Sequence, residues 1–397
     1  MALFNNHHYQ KSSYIYIEGE KKAESFYIIK NGRVDITKKF PVANEKSHEI
    51  LGPGDFFGVI GAMSQLPQLE SAVALSELDV ISIHHTKFAE LVQKNPSLAK
   101  KILKSFSLRL RRFTEAGDNI LTFSLDYDYL RDMYELAEIY TGLNRKRIST
   151  YMYRCIRFYQ PDSKIAKKAE ERLIELEAVG EFNKKTGIVR EYDDNEIIFC
   201  ENEPADEIFI LKKGKIRISK LIDKKETQLY IMQPGDIFGE MSLLEDKPRS
   251  ATAIALEDSE ILVINKQNYE NMTQKEPRLM TKIISLVAER IWNRNKLILN
   301  SKFPDLNSKI LDILLTVYEM SKTNSSHYED YNFNLNFSDI MNMINTDERI
   351  DKVESTFLAQ NKFIKIEKNS LICSDLQNLV RQVSALRTKY FANKLNR

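Results

Sequence analysis

The sequence has few of the residues that build covalently linked or metal-held folds. Only 3 of its 397 residues are cysteines, Cys155, Cys200 and Cys373, and none of them forms a CxxC pair. A disulfide framework and a thiolate cage for zinc or an iron–sulfur cluster are therefore not expected. The 6 histidines also lack metal-ligand spacing, and no nucleophile–base pair can be identified. The sequence thus predicts a protein with no metal and no enzymatic activity.

Long hydrophobic runs and an excess of one charge are missing as well. No uncharged apolar stretch reaches the roughly 18 residues that a membrane span needs, and the first residues, MALFNNHHYQKSS, do not resemble a secretory signal. The 58 Lys+Arg and 56 Asp+Glu leave a net charge of +2, so any surface for nucleic acid would have to be local. We expect a soluble, cytoplasmic protein of more than one domain that does not contact a membrane.

An internal repeat organises the chain. Three blocks occur twice in the same order, about 181 residues apart. The pairs are SFYIIKNGRVDI (25–36) with EIFILKKGKIRI (207–218), LGPGDFFG (51–58) with QPGDIFG (233–239), and SAVALSELDVI (71–81) with TAIALEDSEIL (252–262). In the first pair, alternating apolar and polar residues flank a glycine, which predicts two strands joined at a tight turn. Each copy therefore predicts a small antiparallel β-barrel or jelly roll.

Helical patterns follow both copies. After the second copy, Met280, Ile284, Val287, Ile291 and Ile298 form a heptad-like stripe. This stripe is expected either to pack on its own chain or to form the seam of a homodimer. Between the copies, residues 121–179 resemble the spacing of one tetratricopeptide repeat. A single repeat cannot bury both of its faces, so we interpret it as a helical hairpin that acts as a spacer, with partner binding as the alternative.

The segment FGEMSLLEDKPRSATA, residues 238–253, contains the residues that are best suited to binding a ligand. Gly239 permits close approach of a ligand to the backbone. Glu240 can accept hydrogen bonds from a hydroxyl, and Arg249 offers a planar fork that suits phosphate oxygens. A short helical turn would direct free N–H groups at an anion. Further donors are the backbone N–H groups of Met241 and Ser242 and the side chains of Ser250 and Thr252.

This segment resembles the phosphate-binding cassette of cyclic nucleotide-binding domains, as in the Crp family and the cyclic-nucleotide-dependent kinases. The resemblance implies that Glu240 holds the ribose 2′-hydroxyl and Arg249 the cyclic phosphate. Backbone N–H groups near Ser242 and Ser250 would complete the phosphate site. The alternative from the residues alone is a structural ion pair between Glu240 and Arg249.

The identity of the nucleotide depends on other positions. Ser250, which follows the arginine, resembles the residue of cyclic-AMP-responsive bacterial activators, so cyclic AMP is predicted and cyclic GMP stays open. Arg290 and Asn295 of the following helix lie where the Crp family places ligand-contacting residues. A solvated helix face is the alternative for this pair. The segment ENEPADE has Asn202 where the family usually has glycine, and Asn tolerates the left-handed conformation that such a turn requires.

The first copy lacks both anchors. When Gly58 is aligned with Gly239, Val59 stands opposite Glu240 and Gln68 opposite Arg249. A hydrogen bond to a charged group contributes about 1.5–3 kcal/mol, so losing both should lower affinity by orders of magnitude. The first copy is therefore predicted to be degenerate and not to bind a cyclic nucleotide.

The C-terminal part changes pattern again. Residues 308–320 predict a helix, and the part beyond a polar loop predicts a short strand, a helix, a turn, a helix and a β-hairpin. This order resembles the winged helix-turn-helix of Crp-type transcription factors, with residues 337–343 as the first helix and 346–359 as the recognition helix. The resemblance implies DNA contacts by Arg349 and Lys352, assisted by a basic tail with Arg381, Arg387, Lys389, Lys394 and Arg397.

The start of that recognition helix also contains acidic residues, Asp347, Glu348 and Asp351. Phosphate attraction dominates the affinity of proteins for DNA, and acids oppose it. The alternative interpretation is therefore a winged helix that contacts proteins.

These patterns together predict an α+β chain with two antiparallel β-barrel (jelly-roll) cyclic nucleotide-binding domains, a helical spacer and a C-terminal winged helix-turn-helix domain. The predicted boundaries are residues 1–117 for the degenerate first domain, 118–180 for the spacer, 181–300 for the second domain with its dimerisation-type helix, 301–376 for the winged helix and 377–397 for the basic tail. The predicted function is a cyclic-nucleotide-responsive regulator of the Crp type that acts on transcription as a homodimer. The alternative is a sensor that acts through protein contacts.

Overall fold

A computed structural model of the chain describes residues 4–20, 23–43, 45–115, 129–222, 224–239, 248–265, 277–321, 330–344, 346 and 348–391. Its contacts divide the chain into two units, one of Met1–Phe88 with Ala288–Arg397 and the other of Ala89–Val287. The boundary between Val287 and Ala288 therefore falls inside a long helix that follows the second sequence repeat.

The first repeat forms two four-stranded antiparallel sheets in the first unit. Its strands are β1 Asn5–Tyr9, β2 Tyr14–Tyr16, β3 Ser25–Asn31, β4 Val34–Thr37, β5 His48–Leu51, β6 Phe56–Phe57, β7 Ser71–Ala74 and β8 Leu78–His84. The sheet orders are β1-β8-β3-β6 and β2-β7-β4-β5. The short helix α1, Val59–Ser64, lies between β6 and β7, and α2, Phe88–Lys94, and α3, Pro96–Glu115, follow β8.

The second repeat has the same architecture in the second unit. Its strands are β9 Val189–Tyr192, β10 Ile197–Phe199, β11 Glu207–Lys213, β12 Ile216–Ile222, β13 Lys225–Met232, β14 Ile237–Phe238, β15 Thr252–Ala255 and β16 Ser259–Asn265. The orders β9-β16-β11-β14 and β10-β15-β12-β13 reproduce those of the first repeat strand by strand. Within the described residues each repeat is a pair of four-stranded antiparallel sheets, as the strand pattern predicts, but the sheets do not form a closed barrel.

The glycine between the third and fourth strands of each repeat explains why the chain can change sheets. Gly32 and Gly214 have φ angles of +90° and +93°, which L side chains rarely adopt. A Cβ at Gly32 would lie 2.3 Å from the carbonyl oxygen of Glu77. The strands on the two sides of this turn pair in different sheets, so the predicted tight turn is a corner between sheets and not a hairpin.

Three helices precede the second pair of sheets: α4 Tyr129–Gly142, α5 Lys146–Tyr159 and α6 Lys164–Glu175. The Ser163 side chain caps α6 by accepting a hydrogen bond from the Ala166 N–H at 3.1 Å. Buried side chains of all three helices share one core with Ile197, Cys200 and Ile254 of the second domain. The helical spacer is therefore a three-helix layer packed on the β10-β15 sheet, which is more than the hairpin that a single repeat predicts.

A long helix, α7 Pro277–Ser301, follows β16. Of its heptad-like stripe, Met280, Ile284, Val287 and Ile291 are fully buried within one chain, and Ile298 is partly exposed. This burial favours the alternative that the stripe packs on its own chain. The homodimer stays a prediction. No helix in the described ranges is both long and apolar enough to span a bilayer.

The C-terminal region belongs to the first unit. Its elements are α8 Leu306–Met320, β17 Tyr331–Asn332, α9 Phe337–Ile344, α10 Ile350–Gln360, β18 Ile364–Glu367, β19 Ser370–Cys373 and α11 Leu376–Phe391. The strands form a three-stranded antiparallel sheet of order β17-β19-β18. One apolar core joins them, and it includes Leu314, Phe337, Phe357 and Leu379.

Three C-terminal predictions need correction. The second helix begins at Ile350 and not at residue 346, because Arg349 has an extended conformation (φ −65°, ψ 117°) and precedes the helix as its N-cap. Most of the predicted tail, residues 377–397, is the helix α11, since Leu379 and Val383 are fully buried in the C-terminal core. Arg387, predicted to help bind DNA, instead pairs at 2.8 Å with the buried carboxylate of Asp312.

Candidate ligand-binding site

The site in the second unit begins with Gly239 and Arg249. The chain leaves β14 at Gly239 with a φ of +77°, and Arg249 Nη1 donates a hydrogen bond to the Gly239 carbonyl oxygen at 2.7 Å. A Cβ at position 239 would lie 2.5 Å from that nitrogen. Both the backbone conformation and the closeness of the guanidinium therefore require glycine.

The Arg249 side chain is held on an aromatic surface. Its Cζ lies 4.4 Å from the ring centroid of Phe199 and 5.0 Å from that of Phe209, and Phe238 stacks on Phe209 at 5.2 Å. The residue is 4% exposed, and burial lowers the pKa of its guanidinium. Its Nε is buried with no hydrogen-bond partner within the described part of the chain. A guanidinium placed in this way is oriented and poorly solvated, which strengthens its attraction for an anion.

Glu203 is the acidic residue beside Arg249. The Arg249 N–H donates to the Glu203 carbonyl oxygen at 2.9 Å, and the Asn202 N–H donates to the Arg249 carbonyl oxygen at 2.8 Å. Asn202 has a φ of +66°, which confirms the predicted left-handed turn. The Glu203 side chain is buried, and burial raises the pKa of its carboxyl group. Its Oε2 accepts hydrogen bonds from the Cys200 N–H at 3.0 Å and the Tyr151 hydroxyl at 3.1 Å.

Thr252 and Ser250 flank the arginine. Thr252 is fully buried in β15, and its Oγ1 accepts a hydrogen bond from the Glu201 N–H at 3.1 Å. This contact ties the β15 strand to the turn that contains Asn202. Ser250 is partly exposed. Contact of either hydroxyl with a ligand stays a prediction.

The other predicted site residues lie elsewhere. Glu240, Met241 and Ser242 lie outside the described residues. Arg290 and Asn295 lie on α7 in the part assigned to the first unit, where Asn295 is buried. The base contact predicted for this pair is therefore not assembled with Arg249 within one unit and stays a prediction.

A cavity opens beside Arg249 in the second unit. Its lining comes from α5, the segment before β9, and strands β9 to β11: Tyr151, Asn183, Lys184, Lys185, Arg190, Tyr192, Glu196, Ile197, Ile198, Phe199, Glu203, Glu207 and Phe209, with Arg249 itself. Arg190 and Glu207 form a buried bidentate ion pair in this wall, with Nη1 to Oε2 at 3.0 Å. The cavity therefore combines an aromatic floor with fixed charges.

Several of these residues were not identified from the sequence. Glu203 lies in the ENEPADE segment, next to Asn202, and its acidic side chain between apolar strands was an available signal. Tyr151 gave no signal, because it belongs to a helix about 50 residues before the turn that it contacts.

The first repeat has the same backbone without the charge. Gly58 has a φ of +76°, and the Gly19 N–H donates to the Gln68 carbonyl oxygen at 2.8 Å while the Gln68 N–H donates to the Glu20 carbonyl oxygen at 3.2 Å. Gln68 and Val59 are 4% and 3% exposed. The three aromatic rings also recur: Tyr16, Tyr27 and Phe57 take the places of Phe199, Phe209 and Phe238.

Two family matches decide what this architecture is. Residues 6–95 and residues 189–276 each match the family model of the cyclic nucleotide-binding domain. The chain carries two cyclic nucleotide-binding domains. The predicted pair of such domains, built from antiparallel sheets, is confirmed. Across the described residues of both domains and of the rest of the chain, no cluster of three His, Cys, Asp or Glu side chains has a metal-binding arrangement.

Relatives of the domains include regulators of transcription. The CRP-like cAMP-activated global transcriptional regulator of Mycobacterium tuberculosis is 24% identical over 187 residues, which are 47% of this chain and 83% of that protein. The cyclic AMP receptor protein of Thermus thermophilus is 31% identical over 103 residues, 26% of this chain and 48% of that protein.

A similar solved structure is the cAMP complex of the regulatory domain of Toxoplasma gondii PKA, at 17% identity. The match covers 70% of this chain and 85% of that one, with a TM-score of 0.22.

Proposed function

We propose that the second cyclic nucleotide-binding domain binds cyclic AMP at Gly239, Glu240 and Arg249, and that the first domain binds no cyclic nucleotide. The observation that carries this proposal is the buried guanidinium of Arg249, stacked on Phe199 and Phe209, with a buried Nε that lacks a partner in the described part of the chain.

Binding would use donors that the fold has already oriented. A cyclic phosphate can accept hydrogen bonds from the planar guanidinium in place of the Gly239 carbonyl oxygen. Each hydrogen bond to a charged group contributes about 1.5–3 kcal/mol, so two of them account for roughly a hundredfold or more in affinity. The N–H groups of Met241 and Ser242 and the hydroxyl groups of Ser250 and Thr252 are proposed to complete the site.

Two observations favour cyclic AMP over cyclic GMP as the proposed ligand. Ser250 follows the arginine, as in the cyclic-AMP-responsive activators that the cassette resembles. Both relatives described above are also named for cyclic AMP. Isothermal titration with each nucleotide tests this choice, and equal or tighter binding of cyclic GMP would overturn it.

The chain is a cyclic nucleotide-binding regulator, and we propose transcription as its output. Support comes from the element order of the C-terminal region, which is helix, strand, helix, helix and two-stranded hairpin, as in a winged helix. Arg349 and Lys352 are exposed at the start of α10 and would contact DNA. Relatives named as transcriptional regulators support the same output.

A sensor that acts through protein contacts is the second candidate. Glu348 and Asp351 are exposed beside Arg349, and the nearby apolar side chains of Met343 and Ile350 are 47% and 37% exposed. Acidic and apolar groups on one surface suit a protein partner better than a phosphate backbone.

Electrophoretic mobility shift with genomic fragments separates the two outputs. For a DNA-binding regulator, cyclic AMP should promote a shift, and the double variant Arg349→Ala/Lys352→Ala should weaken it uniformly across fragments and reduce its salt dependence. No shift at any salt concentration, with cyclic AMP bound, would favour the sensor.

A further inference from the structure

The spacer reaches the ligand site at Tyr151 of α5. Its hydroxyl lies 3.1 Å from Glu203 Oε2 and 3.4 Å from the Ile198 carbonyl oxygen. Its ring packs edge-on against Phe182, with the centroids 5.1 Å apart. Tyr151 also lines the cavity beside Arg249. The spacer therefore forms one wall of the site.

The contact is rigid because the spacer and the second domain share a core. Ile197, Cys200 and Ile254 of the domain pack in the same apolar cluster as Met152 and Tyr153 of the spacer. A packed core has few alternative arrangements, so a side chain on α5 has a fixed position relative to β10. The spacer is thus positioned to act on Glu203.

Glu203 could compete with a ligand for Arg249. The two residues are linked through the backbone, and the negative charge of Glu203 attracts the guanidinium. Nevertheless, no side-chain ion pair joins them among the described residues, because the Glu203 carboxylate accepts its hydrogen bonds from Tyr151 and the Cys200 N–H. These donors hold the carboxylate away from the guanidinium, which leaves Arg249 available to a phosphate.

We propose that Tyr151 is a positioning residue of the second domain: by holding Glu203, it keeps Arg249 free for the cyclic phosphate, so the helical spacer is a functional part of the nucleotide site. This inference rests on the proposed function of that site. Removing the hydroxyl would release a buried carboxylate that can pair with Arg249 and displace the ligand.

The pH dependence of this competition has a definite sign. The titratable and charged groups that face Glu203 are Arg249, Lys184, Tyr151, Tyr159, Cys155 and Cys200. Burial raises the pKa of Glu203 above its ordinary 4.5. A protonated carboxyl group cannot form an ion pair with Arg249. The cost of losing the Tyr151 hydroxyl should therefore be largest at neutral and alkaline pH and should disappear as the pH falls through the pKa of Glu203.

The test is cyclic AMP titration of the full chain between pH 5 and 8, comparing wild type, Tyr151→Phe and Tyr153→Phe. Tyr153 is a matched control on the same helix, because its hydroxyl donates to Glu138 inside the spacer at 2.5 Å. Tyr151→Phe should weaken binding about three- to tenfold at the alkaline end, the size of one hydrogen bond. Its affinity should approach that of wild type as the pH falls, and Tyr153→Phe should follow wild type throughout.

A second pair of variants separates positioning from stability. In a Glu203→Gln background no carboxylate can compete, so adding Tyr151→Phe should leave the affinity unchanged. The proposal is wrong if Tyr151→Phe binds like Tyr153→Phe at every pH, or if its loss persists in the Glu203→Gln background. If the wild-type chain binds no cyclic nucleotide, the proposed function of the site is wrong as well. Titration of the wild-type chain alone shows this, so the two failures can be distinguished.

Discussion

The two cyclic nucleotide-binding domains share a backbone and differ in charge. A glycine follows the sixth strand of each domain: Gly58 has a φ of +76° in the first domain, and Gly239 has a φ of +77° in the second. The same pair of backbone hydrogen bonds holds position 68 in the first domain and position 249 in the second. Only the second, however, has a buried arginine there, with a buried acid, Glu203, beside it. In the first domain the residues are a neutral Gln68 and an exposed Glu20.

This difference shows which parts of the domain serve the fold. The corner glycines, the aromatic trio and the turn that holds position 68 or 249 occur in both domains, which indicates that they serve the fold. The charges at 240 and 249 occur once, and the acid equivalent to Glu203, Glu20, is exposed in the first domain, whose architecture is intact. A buried charge is costly to keep without a partner, so its absence from the first domain agrees with the proposal that this domain binds no cyclic nucleotide.

The largest predicted effect comes from making the second domain like the first. Arg249→Gln should lower the affinity for cyclic AMP about a hundredfold or more, because two charge-assisted hydrogen bonds are lost. Isothermal titration of the full chain measures this. The matched control is Gln68→Ala, which changes the equivalent position of the first domain and should leave the affinity unchanged. Equal affinity of Arg249→Gln and wild type would refute the site.

The reverse change should destabilise the first domain. Gln68→Arg places a charge at a position that is 4% exposed, while the acid at the equivalent of Glu203, Glu20, is exposed. We expect a loss of about 3 kcal/mol in the free energy of unfolding, since the buried charge lacks a partner. Denaturant unfolding measures it, with Gln68→Met as the control of similar size without charge. Equal stability of the two variants would contradict the claim that the first domain lacks the charge compensation of the second.

A smaller effect is expected from the glycine that both domains keep. Gly239→Ala combines positive φ with a Cβ only 2.5 Å from Arg249 Nη1, whereas Gly235 has a φ of +97° and nothing within 4 Å of its Cβ position. The matched control is Gly235→Ala. Backbone strain of about 1–3 kcal/mol is common to Gly239→Ala and Gly235→Ala. The additional displacement of Arg249 should weaken cyclic AMP binding about tenfold in Gly239→Ala alone. Equal affinities of the two variants would show that Arg249 can move without cost.

Much of this comparison could be predicted from the sequence. The repeat, the corner glycines, the closeness of Gly239 to Arg249 and the left-handed Asn202 all leave local signals, because each depends on residues near one another in the chain or on a conformation that few residue types adopt. The helix α11 also left a signal, since Leu376, Leu379 and Val383 have helical spacing, but the basic residues of this segment suggested a tail instead.

The remaining features depend on contacts that are distant in sequence. The packing of the spacer on β10, and the hydrogen bond from Tyr151 to Glu203, join segments about 50 residues apart. A single tyrosine on a helix is usual in an apolar core, so nothing in the pattern indicates a polar partner. The prediction that Arg387 helps to bind DNA is wrong for the same reason, because its partner Asp312 lies on another helix.

The measurement that tests the central claim most directly is the stoichiometry of cyclic AMP bound to the full chain at saturation, by equilibrium dialysis. One nucleotide per chain, reduced to none at the same concentration in Arg249→Gln, is the predicted result. Two equal sites per chain, or one site that survives Arg249→Gln, would contradict the proposal that the two domains differ in ligand binding through this charge.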